Sequence, residues 1–178
     1  MGLLHHPVLG KKGEIIASAV TNLDLHDIAR AAVTFGVSAY YLITPLTDQT
    51  AMARQIIGHW TERSGRTRNP ARCKALRCIR LQDTLDDAIA HITDQTGTAP
   101  VLVGTCARYL PNVISATQLR NRTDKSPLFI LFGTAWGLPP EILERMDHIL
   151  APIQGSGDYN HLSVRSAVSI YLDRLCGR

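Results

Sequence analysis

The chain has 178 residues, enough for one well-packed domain and short for two. Its 45% hydrophobic content and near-zero mean hydropathy are ordinary for a water-soluble fold, and no apolar run approaches the roughly 20 residues of a membrane-crossing helix. The net charge of +4 is mild, and residues 1–12 show no apolar core followed by a small-residue cleavage site, so a signal peptide is not expected and a cytoplasmic location is.

In chain order, Glu14 to Val20 is predicted as a strand. Asp24 to Phe35 reads as a helix, because Leu25, Ile28, Ala29, Ala32 and Val33 recur with the spacing of one helical face. Asp24 is its expected N-cap and Gly36 its stop. Ser38 to Thr44 is a β-rich run. Thr47 to about Arg63 is a second helix, with Met52, Ile56, His59 and Trp60 on one face. Gly65 to Ala71 is expected to be a polar, basic loop, and Ala75 to Leu81 a short strand. Thr84 to Thr96 is a third helix. Pro100 to Gly104 is a strand of continuous apolar character, as in a sheet covered on both faces. A helix follows over Asn112 to Asn121, then an apolar strand over Leu128 to Phe132. Pro139-Pro140 opens a short helix over Glu141 to Arg145. Ile149 to Ile153 is a short strand or extended piece, and His161 to Cys176 is the last helix.

Strand–helix alternation of this kind predicts an α/β protein: one domain spanning residues 1–178, with a mostly parallel sheet and helices on both faces. Ligands of such sheets bind at loops beyond the carboxyl ends of strands. That singles out residues 21–24, 44–48, 105–109, 133–138 and 154–160. Three of these loops carry glycine or small residues after consecutive strands, as suits a ligand held by backbone groups; three ordinary turns is the competing reading. There is no Gly-Lys-Ser/Thr phosphate cradle and no G-x-G-x-x-G after a strand. No Gly-x-Ser-x-Gly elbow is present either, which weakens a hydrolase reading.

Charge is distributed unevenly. Arg63, Arg66, Arg68, Arg72, Lys74, Arg77 and Arg80 fall within eighteen residues that contain no Asp or Glu. Taking those seven from the net +4 leaves −3 for the remainder. Arginine forks suit phosphate contact and base stacking, so this segment is read as a nucleic-acid contact, with Arg66, Arg68 and Arg72 as its candidates. The alternative is a solvated loop with incidental arginines. Cys73, Cys78, Cys106 and Cys176 match no zinc spacing and are read as free thiols, with no metal expected.

Two C-terminal segments carry a resemblance. Leu128-Phe129-Ile130-Leu131-Phe132-Gly133-Thr134-Ala135-Trp136-Gly137-Leu138 and Asn160-His161-Leu162-Ser163-Val164-Arg165-Ser166-Ala167 resemble the cofactor-binding end of the SPOUT, or α/β-knot, RNA methyltransferases. The loop over Phe132 to Leu138 is similar to that family's second motif and Leu162 to Ala167 to its third. Val20 to Arg30, with Asn22 followed by Arg30 eight residues on, is similar to the first. His5-His6-Pro7-Val8 through Gly13-Glu14 resembles a little-characterised bacterial branch. The resemblance spans most of the chain. It implies a C-terminal trefoil knot, a cofactor S-adenosylmethionine, an RNA substrate (tRNA or rRNA) and a homodimer paired through the final helix. It also implies a cofactor site at Thr105, Phe132, Gly133, Gly137, Ile153, Gly155, Asn160, Leu162 and Ser163.

There are two departures from the family pattern. The ribose-methylating branch has a Glu in the second motif, where this chain has Thr134, Ala135 and Trp136. It has a Ser where this chain has Arg165. Ribose methylation is therefore not implied. Methyl transfer from a sulfonium is an in-line displacement in which the protein mainly positions the reactants. A ring nitrogen or hydroxyl must also lose a proton. Asp158, Asp27, His26 and His161 are candidate acceptors, and Arg30 a candidate for stabilising negative charge or holding a phosphate. Asn22, Arg30 and Asp158 are the catalytic candidates. Capping of a helix by Asp24 and Asp27, an ion pair at Arg30 and a turn at Asn22 are the structural alternatives, and Trp136 is expected to plug the core rather than stack on a base. A protein that keeps this fold and binds RNA without catalysis is the rival functional reading.

Overall fold

The computed structural model describes residues 1–177; the side chains of Arg63, Ser64 and Arg66 lie outside the description. The chain opens with β1 (Gly2–Leu4), followed by a small antiparallel hairpin of β2 (Val8–Leu9) and β3 (Ile15–Ile16). Then come α1 (Asn22–Thr34), β4 (Tyr40–Ile43), α2 (Thr47–Thr61), α3 (Arg63–Arg68), α4 (Pro70–Leu76) and β5 (Ile79–Gln82). The second half runs α5 (Leu85–Thr96), β6 (Val101–Thr105), α6 (Ala116–Arg120), β7 (Leu128–Gly133), α7 (Pro140–Leu143), β8 (His148–Leu150) and α8 (Val164–Cys176).

Six strands form one sheet in the order β5-β4-β1-β7-β6-β8, and every pairing in it is parallel. Successive strand residues point to opposite faces, and here both faces are apolar. Leu3, Tyr40, Leu42, Ile130 and Phe132 pack with Leu25 and Ile28 of α1, Leu76 of α4 and Val168 and Leu172 of α8. Leu4, Tyr41, Ile43, Phe129 and Leu131 pack with Leu85 and Ala88 of α5 and Ile142 of α7. That is why these strands read as unbroken apolar runs.

Several elements differ from the sequence expectation, each for a local reason. Strand β1 sits in the middle of the sheet between β4 and β7 but is three residues long, too short to show a pattern. Only Ile15–Ile16 of the expected Glu14–Val20 strand pairs; beyond it the backbone is tied to β1's exit by Ser18 N–H donating to the His5 carbonyl at 2.8 Å. The expected basic loop at Gly65–Ala71 is two short helices. Asn69 caps α4 by accepting from Arg72 N–H at 2.9 Å, and Pro70 occupies the first turn, where its missing N–H costs nothing. Because α4 runs on through Ala75 and Leu76, β5 begins only at Ile79. Thr21, not Asp24, caps α1. The helix expected over Asn112–Asn121 is only α6, begun by a capping box of Ser115 and Gln118. Helix α8 begins at Val164 behind the cap Ser163, not at His161.

Candidate active site at the carboxyl edge of the sheet

The carboxyl ends of β1, β7 and β6 deliver three connections to one edge: the hairpin of β2 and β3, residues 133–138, and residues 105–109. The 133–138 turn is built almost entirely from main-chain groups. Thr134 donates both its N–H, at 3.3 Å, and its hydroxyl, at 3.0 Å, to the Leu4 carbonyl. Gly137 N–H closes the turn on the Thr134 carbonyl at 2.9 Å. The hairpin braces it from outside: Leu9 N–H donates to the Gly137 carbonyl at 3.0 Å, and Trp136 N–H to the Leu9 carbonyl at 3.1 Å. A Cβ at Gly133 would lie 2.7 Å from Gly137 C and Leu138 N, so only glycine permits this turn. Gly137 lies at φ 100° and Ala135 at φ 51°; the second is a left-handed position that a non-glycine residue seldom occupies.

Trp136 in this turn is 60% exposed, which corrects the expectation that it plugs the core. Tyr109, Tyr159, Leu162 and Leu23 are also exposed, and all lie at this same edge. Beneath the turn, Phe132 is buried with its ring 6.1 Å from that of Tyr171. The Tyr171 hydroxyl donates to the Ala151 carbonyl at 2.8 Å, and burial pushes its pKa up to about 12, so it stays a donor. Residues 151–163 are tied to the 105–109 loop by Asn160 Nδ2, which donates to the Ala107 carbonyl at 3.1 Å.

A polar cluster connects this turn to the starts of α1 and α8. The Ser18 hydroxyl is hydrogen bonded to that of Thr134 and lies 3.0 Å from His5 Nδ1. His5 is fully buried, and its Nε2 has no partner among the described residues. Burial pushes its pKa down, with the nearby Asp24 carboxylate opposing. Asp24, also buried, accepts from the Thr21 hydroxyl at 2.6 Å and from Arg165 Nη1 at 3.1 Å. Arg165 Nε lies 3.4 Å from Asp27 Oδ2. One arginine at the head of α8 is thus held by two carboxylates of α1. In the sequence Arg165 stands out only as a departure from the family pattern, Asp24 as a cap, and Asp27 as a cap or a proton acceptor. A pair 141 residues apart leaves no local signal.

The sequence-expected residues fall as follows. Phe132, Gly133 and Gly137 belong to the turn and its floor. Thr105 stands at the end of β6, its hydroxyl donating to the Leu131 carbonyl at 3.0 Å. Ile153, Gly155, Asn160 and Leu162 lie on the 151–163 connection, and Ser163 spends its hydroxyl capping α8, accepting from Ser166 N–H at 3.3 Å. Gly155 has open space around it, so nothing there demands glycine. Asn22 opens α1, exposed. Arg30 lies eight residues on, about 12 Å along the helix axis at 1.5 Å per residue, so the two do not converge on one point. Asp158 is exposed and has no hydrogen bond or ion pair among the described residues. Arg68 is exposed at the end of α3. Arg72 places its guanidinium carbon 4.5 Å from the centre of the Trp60 ring. The Arg66 side chain lies outside the described residues.

A cleft of about 610 Å³ lies elsewhere. Met1, Ser38 and Leu128 from the amino edge of the sheet line it, with the carboxyl ends of α5, α6 and α8. Helix carboxyl ends carry partial negative charge, which the cleft's Arg120 and Lys125 complement. Among the described residues no three His, Cys, Asp or Glu side chains are grouped to hold a metal ion, and no helix is long and apolar enough to cross a membrane.

A parallel α/β sheet whose carboxyl edge carries a glycine-tight turn and a long connection before the last helix fits the fold that the SPOUT resemblance implies. Comparison with known proteins agrees. A family profile described as SAM-dependent RNA methyltransferase matches residues 1–177, and the chain belongs to that family. An uncharacterized protein of Aquifex aeolicus is 43% identical over 180 residues, covering 100% of this chain and 88% of its own length. A tRNA (guanine-N(1)-)-methyltransferase of Oleidesulfovibrio alaskensis is 42% identical over 175 residues, covering 98% of this chain; the chain spans only 41% of that protein. Among solved structures, the TrmH/SpoU tRNA modifying enzyme of A. aeolicus superposes with a TM-score of 0.55 at 15% identity, over 88% of this chain and 69% of that one. At that identity the superposition speaks for the fold alone. The family's cofactor is S-adenosylmethionine and its substrate is RNA.

Proposed function

We propose that the carboxyl-edge loops hold S-adenosylmethionine and that the chain, acting as a homodimer in the cytoplasm, methylates a nucleotide of tRNA or rRNA without a metal. The observation that carries this reading is the turn at Gly133–Leu138. It is fixed by main-chain bonds from β1 and β2, admits no Cβ at Gly133, and lies over the buried Phe132 ring. Such a turn suits an uncharged nucleoside, whose ring edges are met by backbone donors and acceptors and whose faces need apolar cover. Thr105, Ile153, Gly155, Asn160, Leu162 and Ser163 would complete the holding set from the neighbouring connections. The bond from Asn160 to Ala107 and the packing of α8 against α1 and α6 hold this end of the chain beside those loops, and the family resemblance implies that it is threaded as a knot.

When bound, S-adenosylmethionine supplies a methyl group already activated on a sulfonium, so the work left to the protein is orientation and proton removal. Arg165, held rigid by Asp24 and Asp27, has a fixed orientation where α1 and α8 meet, and the guanidinium N–H groups not spent on those carboxylates are able to donate to the target. Asp158, free of partners in the described residues, is the candidate proton acceptor. Asn22 serves the target nucleotide beside the loops, and Arg30, farther along α1, a phosphate. The exposed Leu23 and Leu162, at the heads of α1 and α8, favour a second copy covering this edge. Because the chain spans two-fifths of the curated relatives named for guanine N1 of tRNA, that substrate is one candidate among RNAs. The RNA-binding reading without catalysis is favoured by one feature, the engagement of Arg165 by two carboxylates.

The test is transfer of labelled methyl from S-adenosylmethionine into RNA. Activity is expected, with large losses for Asn22→Ala and Arg30→Ala. Binding of RNA without any transfer would establish the rival reading, and absence of cofactor binding by calorimetry would overturn both the site and the activity.

A further inference from the structure

The most concentrated set of unpaired cations and aromatic rings among the described residues lies away from the cofactor loops, where α1, α2 and α4 meet. Trp60, near the end of α2, is its centre. Arg72 of α4 sits 4.5 Å over its ring. His26 of α1 and His59 of α2 meet it edge-on, at 5.6 and 5.1 Å between ring centres. Trp60 is partly buried against the core, so its position is set by packing, while His59 and Arg30 are exposed. Burial pushes the pKa of His26 down; Arg72 and Arg30 push it the same way and Asp27 opposes. His26 thus takes up a proton less readily than an ordinary histidine.

None of Arg30, Arg68, Arg72 and Lys74 makes an ion pair among the described residues, whose salt bridges are Arg122–Asp124, Arg145–Asp86 and Arg165 with Asp24 and Asp27. Arginine stacked on an aromatic ring is common, about one instance per 70–80 residues, so the stack alone marks no site; its setting among free cations does. Here the charges are left free and one of them is stacked. Duplex RNA offers a protein its phosphates and 2′-hydroxyls but keeps its base faces stacked on one another, whereas unpaired nucleotides expose π-faces to aromatic and arginine side chains.

We infer that the Trp60–Arg72 pair, with His26 and His59 around it, Arg30 near His26, and Arg68 and Lys74 on the adjoining α3 and α4, is a stacking platform for an unpaired nucleotide of the RNA substrate. The inference rests on the RNA-methylating reading and narrows it: the platform takes a single-stranded segment, a loop or a splayed base, and the surrounding cations hold its phosphates. The platform thus lies apart from the cofactor loops.

The experiment is anisotropy of two labelled RNAs of equal length, one single-stranded and one duplex, titrated with the full protein. The single strand is expected to bind more tightly. Trp60→Ala should weaken its binding about tenfold, in the range measured for loss of one stacked base, and should leave the duplex nearly unaffected. Trp60→Tyr, which keeps an aromatic face, should restore most of the affinity, and calorimetric binding of S-adenosylmethionine by Trp60→Ala shows that the variant is folded. Wild-type affinity of Trp60→Ala for the single strand would overturn the platform, as would equal weakening for the two RNAs. If Arg68→Glu with Arg72→Glu abolishes binding while Trp60→Ala does not, the platform falls and the RNA reading stands. If the wild-type protein binds neither RNA, both fall.

Discussion

At the carboxyl edge of the sheet, the groups facing a ligand belong to the main chain; on the face of α1, α2 and α4 they belong to side chains. The 133–138 turn offers backbone N–H and C=O groups fixed by bonds to Leu4 and Leu9. The helical face offers Arg30, Arg72, His26 and Trp60, each carried on a helix that other residues hold in place. The difference decides how each region can be damaged. A main-chain site fails when its backbone path is obstructed, and that costs stability as well. A side-chain site can be emptied one group at a time with the fold intact.

Gly133→Ala should have the largest effect, because its Cβ would meet backbone atoms at 2.7 Å, which cannot swing aside as a side chain tip does. Calorimetry should show cofactor affinity lowered by on the order of a hundredfold or more, and denaturant unfolding a loss of about 1–3 kcal/mol, typical of overpacking. Retained affinity would break the contrast at its main-chain side. Next comes charge reversal at Arg68 and Arg72. RNA affinity should collapse, and the dependence of log K on log salt should flatten by about 0.7 for each phosphate no longer neutralised. Cofactor affinity should not move, and unfolding should shift by no more than about 1 kcal/mol, the worth of the lost Arg72–Trp60 contact.

Arg165→Ala is smaller and tests where the two regions meet. It strips the buried Asp24 of its cation, leaving only the Thr21 hydroxyl. A loss of about 1–3 kcal/mol in urea unfolding is expected for a buried group deprived of its partner, together with a lower kcat. Arg165→Lys should recover only part of it, since a single ammonium cannot reach two carboxylates as a fork does.

The smallest effect is on pH dependence. His5 and His26 both titrate below their ordinary value in the folded chain, while the unfolded chain takes up these protons near pH 6.5. Between the two values the unfolded state holds more protons. Stability is therefore full above about pH 6.5 and falls as the pH drops below it, by at most about 1.4 kcal/mol per pH unit for each histidine. Unfolding midpoints from pH 7.5 to 5 should show this slope, and His5→Asn should flatten it.

The same contrast explains what could be read from the sequence. Helices α1, α5 and α8 carry apolar residues at helical spacing, and β6 and β7 are apolar throughout because both faces of the sheet are covered. These follow from local pattern. The central strand β1 does not, since three residues hold no period and its place is set by partners about 40 and 130 residues away. The Asn69-Pro70 step resembles a turn but is a cap followed by a first helical position, so α3 and α4 were hidden inside a basic loop. At the site, Gly133 and Gly137 were visible as glycines after a strand. The His5–Ser18–Thr134 contacts, the grip of Asp24 and Asp27 on Arg165 and the meeting of Trp60 with Arg72 and His26 are tertiary, and no spacing along the chain announces them.

The central claim is that the main-chain turn at Gly133–Leu138 serves methyl transfer to RNA. The most direct test incubates the purified protein with methyl-labelled S-adenosylmethionine and total RNA from cells lacking its gene. Label should enter RNA with the wild-type chain and not with Gly133→Ala. Unlabelled RNA despite tight RNA binding by the wild-type protein, or equal labelling by Gly133→Ala, would contradict it.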